Sequence, residues 1–130
     1  MTKVRAIRGA TTADENTKGS IIDATIDMLK TIVEENNLDK NEIISAFFTT
    51  TKDLNAQFPA VAARTIGWTK VALMCSHEMF VPDAQNMCIR VMIHVNTDML
   101  FNEIHNVYLK DAINLRKRGF EDGQTDIRIS

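Results

Sequence analysis

An arginine lies in the middle of an alternating apolar run that extends from Cys88 to Asn96. The alternation predicts a strand, with Arg90, Met92 and His94 on one face and an entirely apolar set on the other. A guanidinium between apolar neighbours could bind an anionic oxygen in a dry pocket, because its fork of donors has a fixed geometry. The alternative is an arginine that points to solvent or pairs with an acid, as long charged side chains usually do.

A second arginine, Arg8, ends the alternating part of the segment 3–12. Gly9 and Ala10 follow it, and such small residues would let a ligand approach the backbone. A turn at the strand end explains the two small residues equally well. Tyr108, the single tyrosine, lies in a short apolar segment, where a half-buried packing residue whose hydroxyl finds a partner is typical.

The segment from Cys75 to Glu78 contains three more side chains capable of chemistry. A thiol nucleophile at Cys75 with a base at His77 is conceivable, but neighbours two apart on a strand are seldom placed for proton transfer. A metal site formed by Cys75, His77 and Glu78 would need a fourth ligand, and the sequence offers no clear second pair. The simpler interpretation is a buried cysteine and a loop carboxylate.

The sequence predicts a sheet that could position these residues. Strands are expected at 3–12, 43–51, 70–76, 88–96 and 106–109, with 112–115 as an extension of the last one. Helices are expected at about 18–36 and 56–66, with a short one at 101–105. Along the first helix, Ile22, Ile26, Leu29 and Val33 fall on one stripe that would face the core. From residue 117 onward the pattern is lost, which predicts a domain at 1–116 and a flexible tail at 117–130.

Composition narrows the class of protein. The chain has 130 residues, 45% of them hydrophobic and 25% charged, with a formal net charge of −2. That length fits one domain with one core, and the near-zero charge argues against nucleic-acid or anionic-membrane partners. No segment resembles a signal peptide or a membrane span, and two cysteines without redox or metal spacing fit a cytoplasmic protein with reduced thiols.

Strands that alternate with only two substantial helices predict a mixed α/β fold, in the manner of an α+β sheet, rather than a doubly wound one. So few helices leave one face of the sheet uncovered. Covering that face with another subunit is a natural solution, so we expect an oligomer. Taken alone, the residues indicate a cytoplasmic α/β oligomer that binds a small anion, and they do not name a reaction.

Seven segments, in order and at nearly the same spacing, resemble the AroH class of monofunctional chorismate mutases, and the resemblance extends over essentially residues 3 to 116. The segments are Ile7–Thr12, Asp53–Ala60, Gly67–Trp68, Cys75–Met79, Cys88–Met92, Val107–Leu109 and Leu115–Arg116. The resemblance implies a single-domain pseudo α/β barrel in a homotrimer with sites between subunits. It also implies conversion of chorismate to prephenate, toward phenylalanine and tyrosine, without cofactor or metal.

The resemblance assigns roles residue by residue. Arg90 would stabilise the negative charge that grows on the breaking ether oxygen, a role that strengthens binding of the transition state over the ground state. Arg8 and Tyr108 would bind substrate oxygens including a carboxylate, and Glu78 would hold the ring hydroxyl. The remaining predicted substrate-binding residues form the cradle, the apolar wall and the entrance: Met74, Cys75, Ser76, His77, Phe58, Leu115, Arg64 and Arg116.

Two positions depart from the family pattern. Val61 stands where some relatives carry a lysine, which puts one entrance charge in doubt. Met74 stands where a threonine is familiar, so a hydroxyl contact is lost while backbone contacts could survive. The tail after Arg116 also differs.

Two other functions fit a small trimer that binds an anion. One is a deaminase of the Rid type, which would hold a carboxylate with an arginine and hydrolyse with an ordered water. The other is a non-catalytic sensor of a small anion. Glu78 together with Arg90 favours the mutase, because a binding protein has no need of a cation at a breaking ether bond.

Overall fold

The computed structural model describes residues 2–118 and 125–129, apart from the side chains of 116–118 and 125. The strands are β1 Lys3–Thr12, β2 Ile43–Thr50, β3 Ala72–His77, β4 Cys88–Thr97, β5 His105–Leu109 and β6 Thr125–Ile129; the helices are α1 Lys18–Asn36 and α2 Ala60–Thr65. Short 3-10 helices cover Lys40–Glu42, Phe101–Glu103 and Lys110–Arg118. The mixed α/β class predicted from the sequence is confirmed.

The six strands form one mixed sheet in the order β3-β2-β4-β1-β5-β6. Strand β4 is central and antiparallel to both β1 and β2, whereas β2–β3, β1–β5 and β5–β6 are parallel pairs. Ile89, Val91, Ile93 and Val95 are buried on the face of β4 that joins the core. The predicted division of this strand into an apolar face and a face that carries Arg90 is therefore confirmed.

Helix α1 covers the buried face of the sheet, and its predicted bounds are confirmed. Thr17 caps its N-terminus by accepting a hydrogen bond from the backbone of Ser20, and Asn37 ends it in the left-handed conformation at φ 48°. The predicted core-facing stripe of Ile22, Ile26, Leu29 and Val33 is wrong by one position, since only Leu29 is fully buried. The buried residues are Ile21, Ala24, Thr25, Met28, Leu29, Ile32 and Asn36.

Gly9 of β1 explains why α1 turns the row with Ile32, and not the predicted row, toward the sheet. A Cβ added there would lie 2.4 Å from Cδ1 of Ile32, so the missing side chain makes room for the helix. Close packing therefore favours the orientation of α1 in which Ile32 fills the space beside Gly9. Gly9 also lines a cavity on the opposite face of the sheet, as expected if a ligand approaches the backbone there.

Three other segments differ from prediction. Helix α2 is shorter than 56–66 and begins only after Pro59. Residues 112–115 belong to a 3-10 helix rather than to an extension of β5, because Lys110 turns the chain with φ 52°. Strand β6 was not predicted at all; it pairs with β5 along its full length. The predicted tail falls partly on residues 119–124 and 130, which lie outside the described residues.

No helix among the described residues is both long and apolar enough to cross a membrane.

Candidate active site

Arg90 and Glu78 meet at the outer face of the sheet. Nη1 of Arg90 lies 3.1 Å from Oε2 of Glu78, and the Thr49 hydroxyl donates to the same carboxylate oxygen. Glu78 follows β3, and its backbone N–H donates to the Thr50 carbonyl at 2.8 Å. The Arg90 side chain is 48% exposed in the single chain, so the dry pocket expected from the sequence requires a second covering surface.

Strand register brings the predicted binding residues beside this pair. Arg90 lies between Ala10 of β1 and Thr49 of β2, and Tyr108 of β5 pairs with the same Ala10. Arg8 lies two residues before Ala10 on β1, next to Met92. Because residues directly opposite one another share a face, these side chains all project from one side of the sheet.

That side of the sheet carries a cavity of about 570 Å³. Four predicted polar residues line it together with one residue of the predicted apolar wall. They are Arg8, Glu78, Arg90, Tyr108 and Leu115. The cavity therefore combines two guanidinium groups, one carboxylate and one phenol, a set that can bind an anion bearing a hydroxyl group.

Several lining residues were missed by sequence reasoning. Thr49 and Phe47 line the cavity from β2, and His94 lines it with Nδ1 3.2 Å from the Ser45 hydroxyl. The alternation of β2 could have placed Thr49 and Phe47 on one face, but only strand pairing shows that this face lies next to Arg90.

A second cavity, of about 300 Å³, contains most of the remaining predicted residues. Phe58, Cys75, Ser76 and His77 line it, and Phe58 is 67% exposed. Arg64 of α2 is exposed and is close enough for its charge to act on the Cys75 thiol. No residue lines both cavities, so one chain divides the predicted site into two sets.

Neither cysteine is poised as a nucleophile. Burial raises the pKa of the Cys75 thiol, an effect that a backbone hydrogen bond and the charge of Arg64 only partly offset. Burial raises the pKa of Cys88 to about 12. His77 has Nδ1 3.1 Å from the Thr50 hydroxyl. A protonated thiol is a poor nucleophile, which disfavours the Cys75–His77 dyad.

The other predicted positions lie outside the two cavities. Met74 is 66% exposed, beside Phe47 on the outer face of the sheet. Val61 is partly exposed on α2. The entrance role predicted for Arg116 falls on a side chain outside the described residues. Across residues 2–118 and 125–129, no group of three histidine, cysteine or acidic side chains could hold a metal ion.

Known proteins resemble this chain over most of its length. Residues 4–118 match the family described as chorismate mutase type I. The chain is 40% identical over 114 residues to chorismate mutase AroH of Bacillus subtilis, covering 87% of this chain and 90% of the relative. It is 41% identical to chorismate mutase AroH of Thermus thermophilus, covering 87% and 93%. A solved chorismate mutase structure from Clostridium thermocellum superposes with a TM-score of 0.82 at 52% identity, covering 84% of this chain and 97% of that one.

Proposed function

The chain belongs to the chorismate mutase type I family, and we propose that it converts chorismate to prephenate in a site built from its two cavities. As a chorismate mutase it is an isomerase of aromatic amino acid biosynthesis. The observation that carries the assignment of the site is the convergence of Arg8, Glu78, Arg90 and Tyr108 on one cavity of about 570 Å³. The substrate is a dianion with a ring hydroxyl, which this set matches in charge and hydrogen-bonding capacity.

Arg90 supplies the electrostatic part of the mechanism. The rearrangement breaks a carbon–oxygen bond within one molecule, so negative charge appears on the ether oxygen without a proton transfer or a covalent intermediate. A guanidinium has five N–H donors, and the bond to Glu78 occupies only part of that capacity. A cation held in place before the reaction stabilises the developing charge more than the ground state, which lowers the barrier.

Glu78, Arg8 and Tyr108 hold the substrate in its reactive shape. The substrate must fold into a compact conformer before its bonds reorganise, and fixing that conformer removes entropy from the activation barrier. The carboxylate of Glu78 accepts from the ring hydroxyl while it also orients Arg90. Arg8 and Tyr108 donate to substrate carboxylate oxygens, and Leu115 contributes apolar wall.

The second cavity completes the site from a neighbouring subunit of a homotrimer. The outer face of the sheet supports this arrangement, since Phe47, Met74 and Met92 are 40%, 66% and 40% exposed there. A contiguous apolar surface of this kind is typical of a face that another chain covers. A covering subunit would also exclude water from Arg90, which strengthens its interaction with the substrate. We place the enzyme in the cytoplasm, where both free cysteines would stay reduced.

Subunit mixing tests the shared site. Arg90→Ala disables the first set of residues and Phe58→Asp disables the second, because a carboxylate in the wall repels a dianion. If each site draws the two sets from different chains, co-refolding the two inactive variants in equal amounts restores roughly a quarter of the sites. Mixtures of either variant with itself are the controls. No recovery from a well-folded mixed trimer would mean that both sets act within one chain.

The reaction itself is tested with purified protein and chorismate, without added metal or cofactor. We expect loss of chorismate absorbance, with prephenate identified separately by chromatography. Protein that is folded and trimeric yet leaves chorismate unchanged would overturn the assignment. Ammonia release from an imine substrate would instead indicate the hydrolytic deaminase considered from the sequence.

A further inference from the structure

Strand β6 lies beyond residues 4–118, the stretch that matches the family, yet it pairs with a strand of the site. It runs parallel to β5, and the register sets Arg128 beside Tyr108 and Asp126 beside Asn106. Neighbouring residues in register project from the same face of a sheet. The C-terminal strand therefore presents Arg128 on the face where Tyr108 takes part in the proposed site.

Arg128 is held over the Tyr108 ring by three contacts. Its guanidinium carbon lies 5.4 Å from the ring centroid, within the range of a cation–π interaction. Its Nη2 lies 3.3 Å from Oδ2 of Asp126, and its Nε donates to the Ile113 carbonyl at 3.3 Å. Arg128 thus connects β6 to the ring of Tyr108 and to the 3-10 helix after β5.

A second connection runs from β6 to Arg8. Oδ1 of Asp126 accepts from the side-chain amide of Asn106 at 3.3 Å. The amide oxygen of Asn106, which is fully buried, accepts from the backbone N–H of Arg8 at 2.9 Å. Buried polar networks of this kind fix the geometry of the groups they join. Asp126 therefore contacts both Arg128 and the residue that holds the backbone of Arg8.

We propose that β6 is a positioning strand, in which Arg128 fixes the ring of Tyr108 and Asp126 supports the backbone of Arg8 through Asn106. This inference rests on the proposed function, in which Tyr108 and Arg8 bind the substrate carboxylates. Arg128 is a positioning residue in this scheme. It acts through Tyr108, because Tyr108 lines the cavity and Arg128 does not, while the Arg128 guanidinium contacts the Tyr108 ring.

A displaced Tyr108 should weaken substrate binding in the ground state and the transition state alike. Loss of such uniform binding raises KM and leaves kcat nearly unchanged. A partly exposed cation–π contact, converted at 1.4 kcal/mol per tenfold, corresponds to about a 2- to 5-fold increase in KM for Arg128→Ala. Arg128→Lys keeps the charge and should recover part of the effect.

The test is a double-mutant cycle between Arg128→Ala and Tyr108→Phe, measured as KM and kcat for chorismate. If Arg128 acts through the Tyr108 hydroxyl, its substitution has little further effect once that hydroxyl is gone, so the two changes are non-additive. Ile129→Ala is the matched control on the same strand. Ile129 is 47% exposed and pairs with Leu109, so its loss should leave KM unchanged.

Each other outcome counts against the proposal. An unchanged KM in Arg128→Ala would show that the strand does not position Tyr108. Additive effects in the cycle would mean that Arg128 acts on the substrate independently. If both Arg128→Ala and Arg128→Lys fail to fold, Arg128 maintains the fold instead. A wild-type protein inactive on chorismate would refute the proposed function itself, whereas an active wild type with an unaffected Arg128→Ala refutes only the role of β6.

Discussion

Replacing Arg90 with alanine should separate catalysis from stability. In the single chain the guanidinium is 48% exposed, and its one described ion pair is to Glu78 at 3.1 Å. An exposed ion pair contributes at most about 1 kcal/mol to folding, because water screens both charges. Its contribution to transition-state stabilisation in the proposed reaction is much larger, since the cation interacts with negative charge that appears only as the ether bond breaks.

The two magnitudes differ enough to be measured in one set of experiments. Removing one donor to a developing oxyanion costs about 2.7–4 kcal/mol of transition-state stabilisation, which is about 10²- to 10³-fold in kcat. We therefore expect Arg90→Ala to lose that much turnover while the free energy of unfolding changes by less than about 1 kcal/mol. The assays are chorismate consumption at saturating substrate and urea unfolding of the same preparations.

Arg5→Ala is the matched control. Arg5 also lies on β1, but on the opposite face from Arg8, and its Nε donates to the Met99 carbonyl at 3.1 Å. It does not line the cavity. Its loss should leave kcat within about twofold of wild type, as expected for a surface change away from the site. An Arg90→Ala enzyme with near-normal turnover, or one whose loss of turnover merely follows a loss of stability, would refute the electrostatic reasoning.

Four further predictions follow from particular contacts. Glu78→Gln keeps the shape of the side chain but removes the charge that orients Arg90 and accepts the ring hydroxyl, so kcat/KM should fall about tenfold; no change in kinetics would remove Glu78 from the site. Gly9→Ala should destabilise the fold by about 1–3 kcal/mol in denaturant unfolding, because the new Cβ meets Ile32. Adding Ile32→Val to that variant removes the contacting methyl group and should recover part of the lost stability, and no recovery would show that the strain lies elsewhere. The folded pKa of Cys88, about 12, is above its ordinary value of 9.0, so the thiol of the unfolded chain ionises first and the free energy of unfolding should fall as pH rises from 9 toward 12. Cys88→Ala should show a shallower fall of that free energy over the same pH range, and a fall as steep as in the wild type would contradict the buried thiol. Light scattering should give three chains per particle, and a monomer would contradict the shared site.

Much of the site could be predicted from the sequence because it lies on strands with a clear period of two. The alternation around Arg90 placed it opposite the buried side of β4, and the same rule placed Arg8 on one face of β1. Family resemblance then supplied Glu78 and Tyr108, neither of which stands out by pattern. The helix α1 was also predictable, since its cap at Thr17 and its apolar spacing are local features.

Pairing between strands was not predictable from local patterns. Nothing near Arg90 in the chain indicates that Ala10 and Thr49 flank it, because strand neighbours are set by packing of the whole sheet. The same holds for the row of α1 that faces the sheet, which is decided where Ile32 meets Gly9. Two neighbouring apolar rows on α1 have similar residue types and spacing, so the sequence of the helix does not show which one is buried. The shape of the sheet surface that packs against the helix decides it.

The sequence by itself determined the class of fold, the face of each central strand and, through its resemblance to a family, the candidate residues of the site. Those are consequences of periodicity and residue type, which act over a few neighbours. Only the tertiary structure separated the candidates into two cavities and added β6 beside Tyr108. Both depend on contacts between segments far apart in the chain, and such contacts form only when burial of the whole core selects one arrangement of the strands.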